Sequence, residues 1–155
     1  MDTASAWVAR PAVEADLPFL LSLRLATMAP HFARQGIALG DEAHRQRVEY
    51  RLDAASVLIV DGEPAGMLKV IRDCDDWTLE QFQVAPAHQG RGLGTAVLGA
   101  LVADARASGA RLRLSVLKQN PAARLYERLG FRTLAESADA FKMGLVDSAV
   151  PDRRP

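Results

Sequence analysis

The segment Val84-Ala85-Pro86-Ala87-His88-Gln89-Gly90-Arg91-Gly92-Leu93-Gly94-Thr95 most constrains how this chain can fold. The run before it, Trp77 to Val84, reads as a strand, and Pro86 stops its pairing because proline has no N–H for a central ladder. The run after it, Gly92 to Ser108, is the best helix in the chain. Leu93, Val97, Ala100, Leu101 and Ala105 fall on one stripe, and Gly109 stands where a helix cap belongs. A strand that passes through a glycine-rich turn into a long helix belongs to an α/β layer. The same turn is suited to an anion. The first N–H groups of a helix lack internal partners and carry partial positive charge. At Gly90, Gly92 and Gly94 no side chain blocks approach to the backbone, and Arg91 adds a charge within reach of a phosphate. The alternative is a tight turn whose glycines serve dihedral freedom alone. Three alternating glycines at a helix start, at about 1 kcal/mol each in helical positions, favour the anion site.

The remaining pattern fills in one domain. Trp7 to Arg10 reads as a strand, and Asp16-Leu17-Pro18 as the cap and first turn of a helix carrying Leu17, Leu20, Leu21, Leu25 and Met28. That helix is expected to end near Ala29-Pro30. A loop to Gly40 and a second helix, capped by Asp41 and running to about Leu52, follow. Val57 to Val60 and Ala65 to Ile71 form a hairpin about Asp61-Gly62. Leu112, Leu114 and Val116 alternate as a strand. Asn120-Pro121 opens a short helix that Gly130 closes, and Phe131 to Leu134 and Ala140 to Leu145 complete the sheet. The expected fold class is therefore α/β, a mixed sheet with helices on its faces. Residues 1–146 are expected to form the domain, and the polar, proline-containing stretch 147–155 a flexible tail.

Composition narrows the partners. Nineteen basic and nineteen acidic residues cancel, so no net field draws the chain to nucleic acid or an anionic membrane, and a bound anion must be held locally. No basic-then-apolar leader and no stretch of membrane-spanning length appears, which makes a cytoplasmic location the expectation. Cys74, alone and beside Asp73, Asp75 and Asp76, is expected to be inert. His31, His44 and His88 lack ligand spacing, so they are read as surface or loop residues and no metal is expected.

Two familiar phosphate loops fail to match. The run has no Gly-Lys-Ser/Thr, and its Gly-x-Gly-x-Gly spacing, after an apparent antiparallel meander, departs from the dinucleotide fingerprint. Gln89-x-x-Gly92-x-Gly94 after Val84-Ala85-Pro86 instead resembles the acetyl-CoA signature of the GNAT superfamily of N-acyltransferases. Asn120-Pro121-Ala122-Ala123-Arg124-Leu125-Tyr126-Glu127-Arg128-Leu129-Gly130-Phe131 resembles that superfamily's second segment. The likeness spans roughly residues 7 to 145 and is specific because both motifs occur in order. It implies a mostly antiparallel sheet of six to seven strands, splayed beside Val84 at a bulge to form the cofactor cleft. It also implies acetyl-CoA as acyl donor, with the Val84 backbone on the acetyl group, Ala85 or Pro86 on the pantetheine, and Asn120 on the pantetheine side. The amides of Gln89, Gly90, Arg91, Gly92, Leu93, Gly94 and Thr95 would hold the pyrophosphate.

The implied activity is N-acetylation of a primary amine, small molecule or peptide, by direct transfer. A non-catalytic acyl-CoA-binding regulatory module is the alternative. An amine near pKa 10.4 must lose a proton before attack, and the departing thiolate must gain one. The family places its general acid, in contact with the cofactor, where Tyr126 stands, although Leu125 and Leu129 also suit a core aromatic there. Glu80, at even spacing with Phe82 and Val84 and opposite to Gln83, is the candidate base, or equally a solvated or salt-bridged carboxylate. Asn120 also suits a plain helix cap. Phe32, Arg34 and Trp77 are candidates to line the acceptor site or to pack elsewhere. Oligomeric state is left open, a homodimer included.

Overall fold

The computed structural model describes residues 6–146. The expected tail at 147–155 lies outside them. The strands are β1 (Trp7–Pro11), β2 (Ala55–Val60), β3 (Glu63–Asp73), β4 (Asp76–Val84), β5 (Arg111–Leu117), β6 (Phe131–Glu136) and β7 (Ala140–Leu145). They form one seven-stranded sheet in the order β1-β2-β3-β4-β5-β7-β6. Only β4 and β5 run parallel, and every other pair is antiparallel. Sequence explains the difference. Asp61 and Gly62, at φ 53° and 80°, turn β2 tightly into β3, whereas β4 reaches β5 only by a crossover through a long helix.

Five helices flank the sheet: α1 (Leu17–Thr27), α2 (Ala29–Arg34), α3 (Asp41–Glu49), α4 (Leu93–Ser108) and α5 (Ala122–Arg128). On one face Leu20 and Leu23 of α1 and Val48 of α3 pack on Val57 and Met67. On the other, Leu98, Leu101, Val102 and Ala105 of α4 and Tyr126 of α5 pack on Leu79, Leu112, Leu114 and Val116. The expected α/β class, with helices on both faces, is what the chain adopts.

Local details depart from expectation. Residues 29–34 are helical where a loop was expected. Pro30 breaks the α1 ladder, and the chain restarts when the N–H groups of His31 and Phe32 donate to Met28 O. Asp41 is the first residue of α3 and does not cap it, since Gly40 flanks the helix without a side-chain bond. Asp16 likewise makes no cap bond to α1. Its carboxylate accepts from Val13 N and pairs with Arg10 through two 2.8 Å contacts. The second helix ends at Glu49, three residues short of Leu52. There the buried Lys69 ammonium donates to the carbonyls of Arg47, Val48 and Tyr50, placing a cation on the helix's negative end.

Candidate active site

The site begins where the parallel pair fails. β4 and β5 stay in register from Asp76↔Arg111 to Leu79↔Leu114, and then diverge. On the other side of β4, Lys69 faces Gln81 and Val70 faces Leu79, which leaves Glu80 as an extra residue without a β3 partner. This bulge overturns the even-spacing expectation for Glu80. Its carboxylate turns to Arg47 of α3, at 2.8 Å, while Phe82 and Val84 pack beside Leu93 and Val97 of α4. Beyond the bulge β3 and β4 come close together. A Cβ added to Gly66 would lie 2.4 Å from Gln83 O, so the close approach at Val84 requires glycine.

Ala85 N–H donates to Ala65 O at 2.7 Å, toward β3. By strand alternation the neighbouring Val84 N–H and C=O face the opened side, where β5 has left. The Val84 carbonyl accepts from Gln89 Nε2 at 2.9 Å. The carbonyls of Ala85 and Pro86 accept from His88 N and Gln89 N, which close the turn after the strand. The Val84 N–H, like the Phe82 N–H two residues earlier, is therefore a main-chain donor on the opened side.

Gly90 and Gly92 adopt φ of 76° and 84°, so dihedral freedom accounts for two of the three glycines. Gly94 is different. It sits in the first turn of α4, where a Cβ would only touch Leu125 and Phe82 at 3.5 and 3.6 Å. The first main-chain bond of α4 runs from Ala96 N to Gly92 O, and Gly92 offers no side-chain cap. The N–H groups of Leu93, Gly94 and Thr95 thus lack intrahelical partners and point out of the helix start. A cavity of about 460 Å³ lies against them, lined also by Val84, Gln89, Asn120 and His31. These donors and this volume fit a pyrophosphate with its attached arm.

A second cavity, of about 390 Å³, lies between α1, α2, α3 and the diverging strands. Both cavities are lined by Met28, Phe82, Gln83 and Asn120, which places their junction beside the free edge of β4. Tyr126 lines the second. It is 7% exposed, stacks edge-on against Phe131 at 5.7 Å, and burial pushes its phenol up to about 12. It is thus both a core aromatic and a protonated donor on the cavity wall. Asn120 Oδ1 accepts from Ala122 N at 2.9 Å, so the capping role is real, and its amide nitrogen remains for the cleft. Just after α2, Gln35 Nε2 donates to Asp139 O at 2.8 Å and its Oε1 accepts from Gln119 N at 2.7 Å.

Phe32 lines the second cavity. Trp77 belongs to the core, and Arg34 is exposed beside His31. Cys74 is exposed in the turn from β3 to β4, at the end of β4 opposite Val84. His44 was misread as a surface residue. It is 2% exposed, its Nδ1 accepts from Arg24 Nε at 2.9 Å, and burial followed by the Arg24 charge holds its pKa below the usual value. Arg24 was missed. Its signal was an arginine on the apolar stripe of α1, between Leu20 and Met28 at helical spacing. Gln81 and Gln83, buried on the α1 face of β4, were missed because alternation alone does not say which face is covered. Among the described residues no His, Cys, Asp and Glu cluster could hold a metal, and no helix is long and apolar enough to cross a membrane.

Solved acetyltransferases share this fold. PaiA N-acetyltransferase from Thermoplasma acidophilum, in complex with coenzyme A, superposes with a TM-score of 0.71 at 16% identity, covering 90% of this chain and 98% of that one. The ribosomal-protein-S18-alanine N-acetyltransferase from Escherichia coli gives 0.68 at 24% identity, with 90% and 92% covered. An acetyltransferase from Thermus thermophilus gives 0.70 at 24% identity, with 93% and 98% covered. These likenesses establish the fold. The family profile described as "Acetyltransferase (GNAT) domain" matches residues 53–133, more than half of the chain, and the chain belongs to that family.

Proposed function

We propose that this chain is an N-acetyltransferase that moves the acetyl group of acetyl-CoA directly to a primary amine. The observation that carries this reading is the meeting of the two cavities at the unpaired edge of β4, where Val84 N–H faces the gap. The N–H groups from Gly90 to Thr95, with Arg91, hold the pyrophosphate; the Gln89 N–H closes the turn on Pro86 O and its side chain braces the Val84 carbonyl, so the expected Gln89 amide contact is dropped. The pantetheine arm lies along the opened side of β4 at Val84, and the Asn120 amide nitrogen steadies it from the other side; Ala85 and Pro86 contribute packing only, since their main-chain groups are already paired. Val84 N–H polarises the thioester carbonyl and stabilises the oxyanion formed when the amine attacks.

The amine reaches that carbon from the second cavity, so its nitrogen and the thioester are held together in one groove. Glu80, through water, takes the proton the amine gives up; its ion pair with Arg47 holds the carboxylate at the cavity wall. Tyr126, kept protonated by burial, donates to the departing sulfur. Residues 1–146 form the catalytic unit.

The test is thiol release from acetyl-CoA across amine classes, run beside Tyr126→Phe. Turnover with at least one amine is expected, falling about 100-fold or more in the variant with unchanged affinity for CoA. Binding of acetyl-CoA without turnover of any amine would refute the reading, and an equally active variant would remove Tyr126 as the acid.

A further inference from the structure

The second cavity has a polar wall that the transfer chemistry above does not use. Arg24 is 4% exposed and lines that cavity. Its Nε is spent on His44 and its guanidinium lies 5.6 Å from the Phe32 ring centre, but its two Nη groups have no hydrogen-bond partner among the described residues. No carboxylate offsets it, since the charge bearing on it is that of Arg47, and Glu80 is already paired with Arg47. Burial brings Arg24 down to about 10, so it stays protonated at neutral pH. Gln81 lines the same cavity with both Nε2 and Oε1 buried and unpartnered, and Gln83 adds an unpartnered Oε1.

A buried cation without a counter-charge is strongly destabilising, and buried amides without partners add to the cost. Such groups persist where a ligand completes them. The His44 bond fixes the guanidinium with its Nη edge free, and that edge matches the two oxygens of a carboxylate. His44 is a positioning residue. Accepting at Nδ1 requires the tautomer with its proton on Nε2.

We propose that the acceptor amine carries a carboxylate, and that the Nη edge of Arg24 and the amide of Gln81 bind it while its amine points to the junction beside Val84. This rests on the transferase reading and narrows it. A volume of about 390 Å³ suits a free amino acid or an amine carboxylate of similar size.

The experiment compares L-amino acids with their amides and their decarboxylated amines. Titration calorimetry on the CoA-loaded protein reads binding, and thiol release reads turnover. Acids are expected to bind and react about 10- to 100-fold better than the matched amides and amines. Arg24→Gln is expected to erase that preference, through the acceptor KM, while CoA affinity stays at the wild-type value; Arg24→Lys should restore part of it. The ligand series on wild-type protein stands even where a variant fails to fold. Amides or simple amines bound as well as acids, or an undiminished preference in Arg24→Gln, would overturn the proposal while leaving the transferase reading intact. Tight, acid-selective binding without any acetyl transfer would sustain the site and refute the transferase.

Discussion

Replacing Gly66 by alanine perturbs stability and chemistry through a single atom. The added Cβ would stand 2.4 Å from Gln83 O and 3.3 Å from Val84 Cα, both backbone atoms that no rotamer change can move aside. Relief to the 3.0 Å that real contacts respect means parting β3 from β4 by about 0.6 Å. Overpacking of this kind costs about 1–3 kcal/mol. For a domain of this size that lowers the melting temperature by about 2–12 °C. The displaced backbone carries the Val84 N–H, and because a 1 Å misplacement at a reacting centre costs about 100-fold, we expect kcat/KM to fall about tenfold. Gly99→Ala is the control. It lies within α4 with nothing within 4 Å of the new methyl, and should stabilise by about 0.5–1 kcal/mol. The assays are calorimetric melting and acetyl-CoA turnover with the best acceptor. Melting of Gly66→Ala within 1 °C of wild type and turnover within about twofold would refute the reasoning; so would an equal loss in Gly99→Ala.

Gly92→Ala places a Cβ on a residue at φ 84°, and should cost about 1–2 kcal/mol and weaken CoA binding, read by melting and by titration with CoA. Asp16 is held below its usual pKa, chiefly by the Arg10 hydrogen bonds, so its contribution is present above pH 3.8 and is lost as pH falls through the lowered value. Asp16→Asn should therefore destabilise by about 1 kcal/mol at neutral pH, with the difference from wild type closing below pH 3.8 in paired urea titrations. A gap that persists undiminished at lower pH would show that the carboxylate's charge is not what matters there.

The architecture could be read from periodicity and turn chemistry. Asp61-Gly62 marked the β2–β3 hairpin, and Leu93, Val97, Leu101 and Ala105 marked α4 and the face it covers, although Ala100, placed on the same stripe, is exposed and Leu98 and Val102 are buried in its stead. Asn120-Pro121 and Gly130 bracketed α5. The misses share a cause, since they depend on contacts between residues distant in the chain. The bulge at Glu80 exists only in the register of β3 against β4, and it reversed the face assigned by counting. Burial of His44 depends on Arg24, twenty residues earlier on another helix. The α2 turn was lost because Pro30 reads equally as the end of one helix and the start of the next. The residues proposed to hold the donor sit in two contiguous segments, which a sequence motif can carry, whereas those lining the second cavity come from α1, α2, α3, β4, β5, α5 and β7, which only the fold brings together.

The bridge made by Gln35 separates two kinds of heritable information. The donor edge consists of main-chain groups, and most substitutions leave a main-chain N–H where it was. The part of the second cavity's wall that α1, α2 and α3 contribute consists of side chains, which a single replacement can rewrite. Gln35, just after α2, is tied to main-chain groups at Gln119 and Asp139, in the connections after β5 and after β6, so the end of α2 is held by partners that side-chain substitution there leaves in place. On the proposed reading, a chain built this way can change its acceptor by point substitution in α1 to α3 while the main-chain donor geometry passes to its descendants unaltered.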